Sequence, residues 1–350
     1  MSEFAAGPAG RIERVRALMA ERGYDAIVVR DEANLRWLTG VKGVFDYTFE
    51  FPHAAFITVD QCLFHTDSRY LNSFEENTPA GSPWVYDMDE GTIPGWVAGK
   101  IAANKCRVCA VEDDMQINFY QGIQRGLEDR SVACMLPLMH DDIRKMRAIK
   151  DAEEIELMRH AQSITDAAFQ HMLGFIKPGM TEKQVRNELE NFMFANGADS
   201  LAFGSIVASG PNTANPHAVP SDRVIEKGDF VLMDYGAGYC DYRSDMTRTV
   251  VMGEPTRSSS TCTHSCAART RSASPPFIRA LRVTTSSSFP RRSSAMLAMV
   301  ITTTMVWATA WASTSMSCPT STAARTPSRS ARLSPWSPAS TVPGVGGVRR

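Results

Sequence analysis

Every aspartate and glutamate of this 350-residue chain lies at or before Glu254, and that break limits the material from which a fold can be built. Residues 1–256 hold 25 of the 37 Lys and Arg against all 38 acids, a net charge of −13, whereas residues 257–350 hold the other 12, all Arg, for +12. The overall −1 is a cancellation. A basic tail rich in Ser, Thr, Ala and Pro could be a solvated nucleic-acid or membrane-surface arm. Yet Asp, Glu, Lys, Asn, Gln, Tyr and Gly are all missing between Arg257 and Val342, and His264 is the single histidine there. Six of those missing types, together with His, are the amino acids whose codons carry adenine in the middle. Selection for positive charge would not remove Asn, Gln, Lys and Tyr together. A GC-rich gene read one nucleotide out of frame would, because the apparent middle base is then the wobble base. Residues 257–341 are therefore expected to be a frame-shifted segment without a native fold.

Ahead of the break, residues 230–250 (FVLMDYGAGYCDYRSDMTRTV) carry the most specific chemistry. An apolar run from Val231 to Met233 enters Asp234, Gly236 and Gly238 permit a turn, and a β-rich pattern resumes at Tyr242 and runs through Thr247, Thr249 and Val250. The stretch is expected to form a hairpin with Asp234 and Asp245 on adjoining strands. Two core-facing carboxylates cannot stay ionised without a partner, since burying a bare carboxylate costs many kcal/mol, and a divalent cation is the strongest partner for hard oxygen ligands. The plainer alternative pairs Asp245 with Arg243 or Arg248 and leaves Asp234 capping a turn.

Three more patterns accompany the hairpin. Residues 203–210 (FGSIVASG) precede Pro211, Asn212, Pro216 and His217; residues 147–150 (RAIK) precede Glu153, Glu154 and Ile155; and residues 11–139 include 34–40 (NLRWLTG) and 67–70 (DSRY). Over about 11–256 the chain resembles the creatinase/aminopeptidase P family of pita-bread metallopeptidases. In that family an Asp-x-Gly-Ala strand and a Ser-Asp-x-Thr-Arg-Thr strand supply two metal ligands, which match Asp234 and Asp245 here. The resemblance implies two divalent ions, Mn²⁺ first with Co²⁺, Zn²⁺ or Fe²⁺ as alternatives, Asp234 bidentate to one and Asp245 bridging. It also implies that Phe203 belongs to the substrate side and that His217 contacts the substrate. An isolated histidine in an Asn/Pro-rich loop is more often an ordinary surface residue, so only its place in the family order makes His217 catalytic.

By the same resemblance the full site uses five ligands: two Asp, one His and two Glu. Taking the third base of each codon in the tail with the first two of the next, Met299-Val300, Met305-Val306, Trp307-Ala308 and Trp311-Ala312 must each encode Gly. The recovered string is compatible with the family's remaining metal-binding blocks in their usual order. Residues 343–349 (PGVGGVR) resemble the segment before the last glutamate ligand, as if the frame were restored near Val342. As written, the chain keeps Asp234 and Asp245 and no His or Glu stands in the recoverable positions of the other three. Two carboxylates alone should hold a dinuclear pair weakly.

Helical spacing over residues 12–21, a buried strand at 25–29 (DAIVV), and strands within 55–66 and 108–112 predict an α/β N-terminal domain. Apolar residues at Ile155, Met158, Ala161, Ile164, Ala168 and Met172 predict a long amphipathic helix, stopped at 177–179 (KPG). Thr181 with Gln184 predicts a capping box opening the next helix, which Gly197 closes. Cys106 and Cys109 fit two buried thiols on a strand better than a ligand pair. Cys262, His264 and Cys266 lie in the scrambled segment and are discounted, as is the uncharged run 295–312. With no signal-like N-terminus, a reducing cytoplasm is expected.

The expected fold is therefore an α/β creatinase-like domain at 1–140 and an α+β pita-bread catalytic domain whose first half is 141–256, with 257–341 frame-shifted and 342–350 a remnant. The expected function is metal-dependent Xaa-Pro aminopeptidase or dipeptidase activity on short proline-containing peptides, lost or impaired in the chain as written. Neither nucleic acid nor membrane is an expected partner, and a homodimer is common in the family. The alternatives are a creatinase-type small-molecule hydrolase, and a non-enzymatic binding protein or pseudogene product on the same fold.

Overall fold

The computed structural model describes residues 7–44, 51–88 and 91–254, together with the backbone of 301–303. The remainder of 257–341, the span expected to be frame-shifted, and residues 342–350 lie outside the described residues.

The N-terminal strands are short and apolar on both faces, as a sheet covered by helices on each side requires. Helix α1 (Gly7–Arg22) leads to β1 (Ala26–Val29) and α2 (Glu32–Thr39). Then come β2 (Ala54–Thr58), β3 (Cys62–His65), α3 (Leu71–Asn77), β4 (Val85–Asp87), α4 (Ile93–Ala103), β5 (Cys109–Val111), α5 (Ile117–Asp129) and α6 (Asp142–Ala148). The strands form one mixed sheet in the order β4-β3-β2-β1-β5, with β1 antiparallel to β2 and parallel to β5. Alternation along β1 divides the core. Ile27 and Val29 pack with Ile12, Val15, Leu35 and Leu38 of α1 and α2, while Ala26 and Val28 pack with Trp96, Ile101, Ile123 and Leu127 of α4 and α5. Ile143 and Met146 of α6 join the first of these clusters.

The second unit is antiparallel and covered by helices on one face. The Asp151 carboxylate caps α7 (Ala152–Phe175) in a full capping box with Glu154, and Thr181 caps α8 (Glu182–Ala195) in the predicted box with Gln184. Strands β6 (Ser200–Leu201), β7 (Ile206–Ser209), β8 (Phe230–Tyr235), β9 (Ala237–Tyr239), β10 (Tyr242–Arg243), β11 (Met246–Val251) and β12 (Ile301–Thr303) make two sheets, β10-β9-β6 and β12-β11-β8-β7. Val231, Met233, Tyr235, Met246 and Val250 bury against Ile164, Ala168 and Met172 of α7 and Val185, Leu189 and Met193 of α8. Phe230, Leu232, Asp234, Thr247 and Thr249 alternate onto the opposite face and stay half-buried.

The two units meet through charged groups. The Arg11 guanidinium, nearly buried, donates to Asp151 at 2.8 Å and to the Trp37 carbonyl at 2.8 Å, and lies 3.7 Å from Glu154. Within the second unit, Tyr242 Oη donates to the same Glu154 at 3.0 Å. Asp241 pairs with Arg36 and accepts from the Gly43 backbone N–H at 3.0 Å.

Candidate active site

The hairpin predicted from residues 230–250 exists, but its turn is not at the glycines. Tyr235 pairs with Met246, Gly238 with Arg243 and Tyr239 with Tyr242, so one register runs unbroken to a two-residue turn at Cys240 and Asp241. Both turn residues have positive φ, 46° and 69°, the signature of a type I′ turn whose twist suits a hairpin. The glycines do different work. A Cβ on Gly236 would overlap the backbone carbonyl of Ser244, and one on Gly238 would overlap the Ser200 hydroxyl. Glycine is there because neighbouring chain passes close by, where the hairpin leaves the β8–β11 sheet for the β9–β10 sheet.

That register decides where the two aspartates face. Asp234 lies opposite Thr247, so Asp245, two residues before Thr247, is its diagonal neighbour on the same face. Diagonal neighbours across antiparallel strands have Cα atoms roughly 7–8 Å apart, near enough for two carboxylates to reach one cation or an adjacent pair. Thr247 donates its hydroxyl to Asp234 Oδ1 at 2.7 Å, and Asp234 Oδ2 takes no hydrogen bond among the described residues. A half-buried carboxylate with one oxygen fixed and the other open, beside a second carboxylate, suits a hard divalent cation. Among the described residues no cluster of three or more His, Cys, Asp or Glu side chains forms, so the donors present fit the metal in kind and leave its shell incomplete.

The structure bears on two parts of the plainer alternative. Asp234 sits in mid-strand and caps nothing. Arg248 alternates onto the buried face, where its guanidinium lies 5.7 Å over the Phe169 ring and burial lowers its pKa. The sheet bend is fixed from behind by α7: the Ala237 N–H donates to Thr165 Oγ1 at 3.0 Å and to Ser244 Oγ at 2.9 Å, and the two hydroxyls are 2.6 Å apart.

His217 and Phe203 lie on other elements. Phe203 is half-buried in the connection from β6 to β7. His217 is exposed on the segment joining β7 to β8, after a 3₁₀ turn at Gly210–Ala214, and its backbone N–H donates to Asn215 Oδ1 at 3.2 Å. No hydrogen bond joins either residue to Asp234. Thr247, Thr165 and Ser244 were not singled out by the sequence. Thr247 was findable: with the turn placed at Cys240 and Asp241, it is the cross-strand partner of Asp234. Cys106 and Cys109 are buried free thiols, as predicted, and burial raises the Cys106 pKa to about 11.

Two family models match the chain: the creatinase/prolidase N-terminal domain over residues 11–149 and metallopeptidase family M24 over residues 156–280. A Bacillus subtilis protein named uncharacterized peptidase YqhT is 34% identical over 252 residues, 70% of this chain and 66% of that protein. An Xaa-Pro dipeptidase of Pyrococcus furiosus is 45% identical over 115 residues, 33% of each. The chain thus spans between a third and two thirds of these relatives' length. Among solved structures, an Xaa-Pro dipeptidase from Bacillus anthracis superposes with TM-score 0.64 at 34% identity, covering 73% of this chain and 68% of that one. An X-Pro aminopeptidase from Thermotoga maritima gives TM-score 0.64 at 29% identity, covering 75% and 70%.

Proposed function

The chain belongs to metallopeptidase family M24, with a creatinase/prolidase N-terminal domain ahead of it, and from that premise we propose that it is a metal-dependent peptidase that hydrolyses the bond before proline in short peptides. The observation that carries the proposal is the hairpin register, which sets Asp234 and Asp245 diagonally on one half-buried face with Asp234 Oδ2 open. Divalent ions held there, Mn²⁺ first, would supply Lewis acidity and a water acidic enough to act near neutrality. Thr247 orients the Asp234 carboxylate, and Thr165 with Ser244 holds the bend from which Asp245 projects. His217, in the loop ahead of β8, would donate to the substrate carbonyl, a contact that strengthens as negative charge develops on oxygen. Phe203 would line the substrate side. Proline calls for a dedicated site because its nitrogen carries no N–H and its ring restricts the residue before it.

Among the described residues no helix is long and apolar enough to cross a membrane. A cytoplasmic setting is part of the proposal, supported by the free thiols of Cys62, Cys106, Cys109, Cys134 and Cys240. The frame shift over 257–341 is part of it as well. A second reading, a binding protein on the same fold, is favoured by the lack of any Asp or Glu within 257–341, the span compatible with the family's remaining metal-binding blocks.

One experiment separates these. Mn²⁺ binding by calorimetry and hydrolysis of Gly-Pro are compared for the chain as written, for a frame-repaired gene, and for Asp234→Asn and Asp245→Asn in each. The peptidase reading expects a Mn²⁺-dependent rate in the repaired protein, and at least about tenfold weaker metal binding in each Asn variant. Metal binding indifferent to both substitutions, or a repaired protein that leaves Gly-Pro intact, would overturn it.

A further inference from the structure

Glu182 is the first residue of α8 and is wholly buried. A buried carboxylate persists only if its lone pairs are filled, and here they are filled in a divided way. Oε1 accepts from the Ser209 N–H at 2.7 Å, the Ser209 hydroxyl at 2.9 Å and Asn212 Nδ2 at 3.1 Å. Oε2 accepts from the Ser221 N–H at 3.0 Å and the Ser221 hydroxyl at 2.6 Å, with Asn212 Nδ2 a longer 3.4 Å away.

Ser209 ends β7, and Ser221 closes the loop that His217 occupies. One carboxylate therefore holds the two ends of the 210–220 segment together. The donors it accepts from are the residues that flank that segment, Ser209 and Ser221, and one within it, Asn212. A second tie runs in parallel: Arg223 donates to Ser209 Oγ at 2.6 Å and to Asp229 at 2.7 Å. The clamp stands on a rigid support, because Thr181 caps α8 and Val185, Leu189 and Met193 lock the helix into the core. The crown of the loop is left in solvent, with Asn215, Pro216, His217 and Val219 all exposed.

We infer that Glu182 is a positioning residue, which pins both ends of the 210–220 loop and so presents His217 to the substrate. The substrate-facing role of His217 rests on the proposed peptidase function; the clamp does not. A pinned loop matters because an eleven-residue loop free at its ends spreads its crown over many orientations, and a donor acting on developing charge must be held in place.

The test uses the full chain with Glu182→Gln and, as a milder probe, Ser221→Ala. An amide keeps one acceptor oxygen and turns an NH₂ toward the other set of donors, so Glu182→Gln releases one end of the loop while nearly preserving side-chain volume. Hydrogen–deuterium exchange read by mass spectrometry should show residues 209–221 exchanging about tenfold faster in Glu182→Gln, with 164–176, 185–195 and 230–251 unchanged. The His217 ring ¹H–¹³C signal should move toward its free-peptide position in both variants, a change that general loosening of the core would not produce alone. Unchanged exchange in 209–221, equal acceleration in the core segments, or an unmoved His217 signal would each overturn the clamp. If the clamp holds while the repaired wild-type protein leaves Gly-Pro intact, only the peptidase reading fails.

Discussion

Two buried glutamates show how much a carboxylate's partners matter at the scale of single residues. Burial pushes both up. At Glu182 the hydrogen bonds from Ser221, Ser209 and Asn212 outweigh that push and hold it below the usual carboxylate range. At Glu112 burial wins: Asn34 and the Arg30 and Asp31 backbone N–H groups all donate to it, yet its pKa rises to about 7. The consequences for stability are opposite in sign. Glu182 contributes stability above its unfolded pKa near 4.3, and that contribution is lost as the solution becomes more acidic. Glu112, more basic folded than unfolded, favours the fold below about 4.3, and that advantage is lost as pH rises to 7, an effect of order 3 kcal/mol. Urea denaturation at about pH 5 and about pH 7.5 should therefore show the N-terminal domain weakening at the higher pH, and Glu112→Gln should flatten the difference. Equal pH dependence in the variant would rule this out.

At the scale of the element, the β8–β11 hairpin is specified by contacts that a residue-by-residue reading does not contain. Gly236 reads as a turn residue, but in the structure it lies where the hairpin passes from one sheet to the other, against the Ser244 carbonyl. Gly236→Ala is expected to destabilise the catalytic unit by about 1–3 kcal/mol, because the obstacle is backbone and cannot rotate away. A Gly238→Ala control meets the Ser200 hydroxyl, a side chain able to yield, and should cost less. Chemical denaturation followed by far-UV circular dichroism checks both, and a tolerated Gly236→Ala would mean that the bend lies elsewhere. The hairpin tip is also where the N-terminal unit takes hold, through Asp241 with Arg36 and Gly43.

For the whole molecule, the two units are coupled through a nearly buried ion-pair network centred on Arg11, and among the described residues no apolar cluster spans both. Arg11→Met would leave Asp151 and Glu154 facing each other without their cation, and is expected to cost about 3 kcal/mol, the low end for a broken buried pair because Asp151 keeps some exposure. Differential scanning calorimetry should resolve one coupled transition in the wild type into two in the variant. An undivided transition at unchanged temperature would mean that the interface does not depend on this network.

Local signals carried much of this protein. Thr181 with Gln184 marked the start of α8, the 3.6-residue rhythm from Ile155 to Met172 marked α7, and apolar runs marked β1 and β5, because capping and periodicity are written in neighbouring residues. The family motifs likewise identified Asp234 and Asp245 as the pair to examine, and the codon pattern after Glu254 depends on no structure at all. What the sequence did not contain was pairing at a distance. The turn at Cys240 and Asp241, the resulting match of Thr247 to Asp234, and the closure of Ser209 and Ser221 onto Glu182 depend on which backbones come within hydrogen-bonding range once α7 and α8 cover the sheet. A buried glutamate at the start of a helix looks, in one dimension, like an ordinary first-turn acid favoured by the helix dipole. Only burial, which strips away water and leaves its oxygens to the two ends of one loop, makes it a clamp.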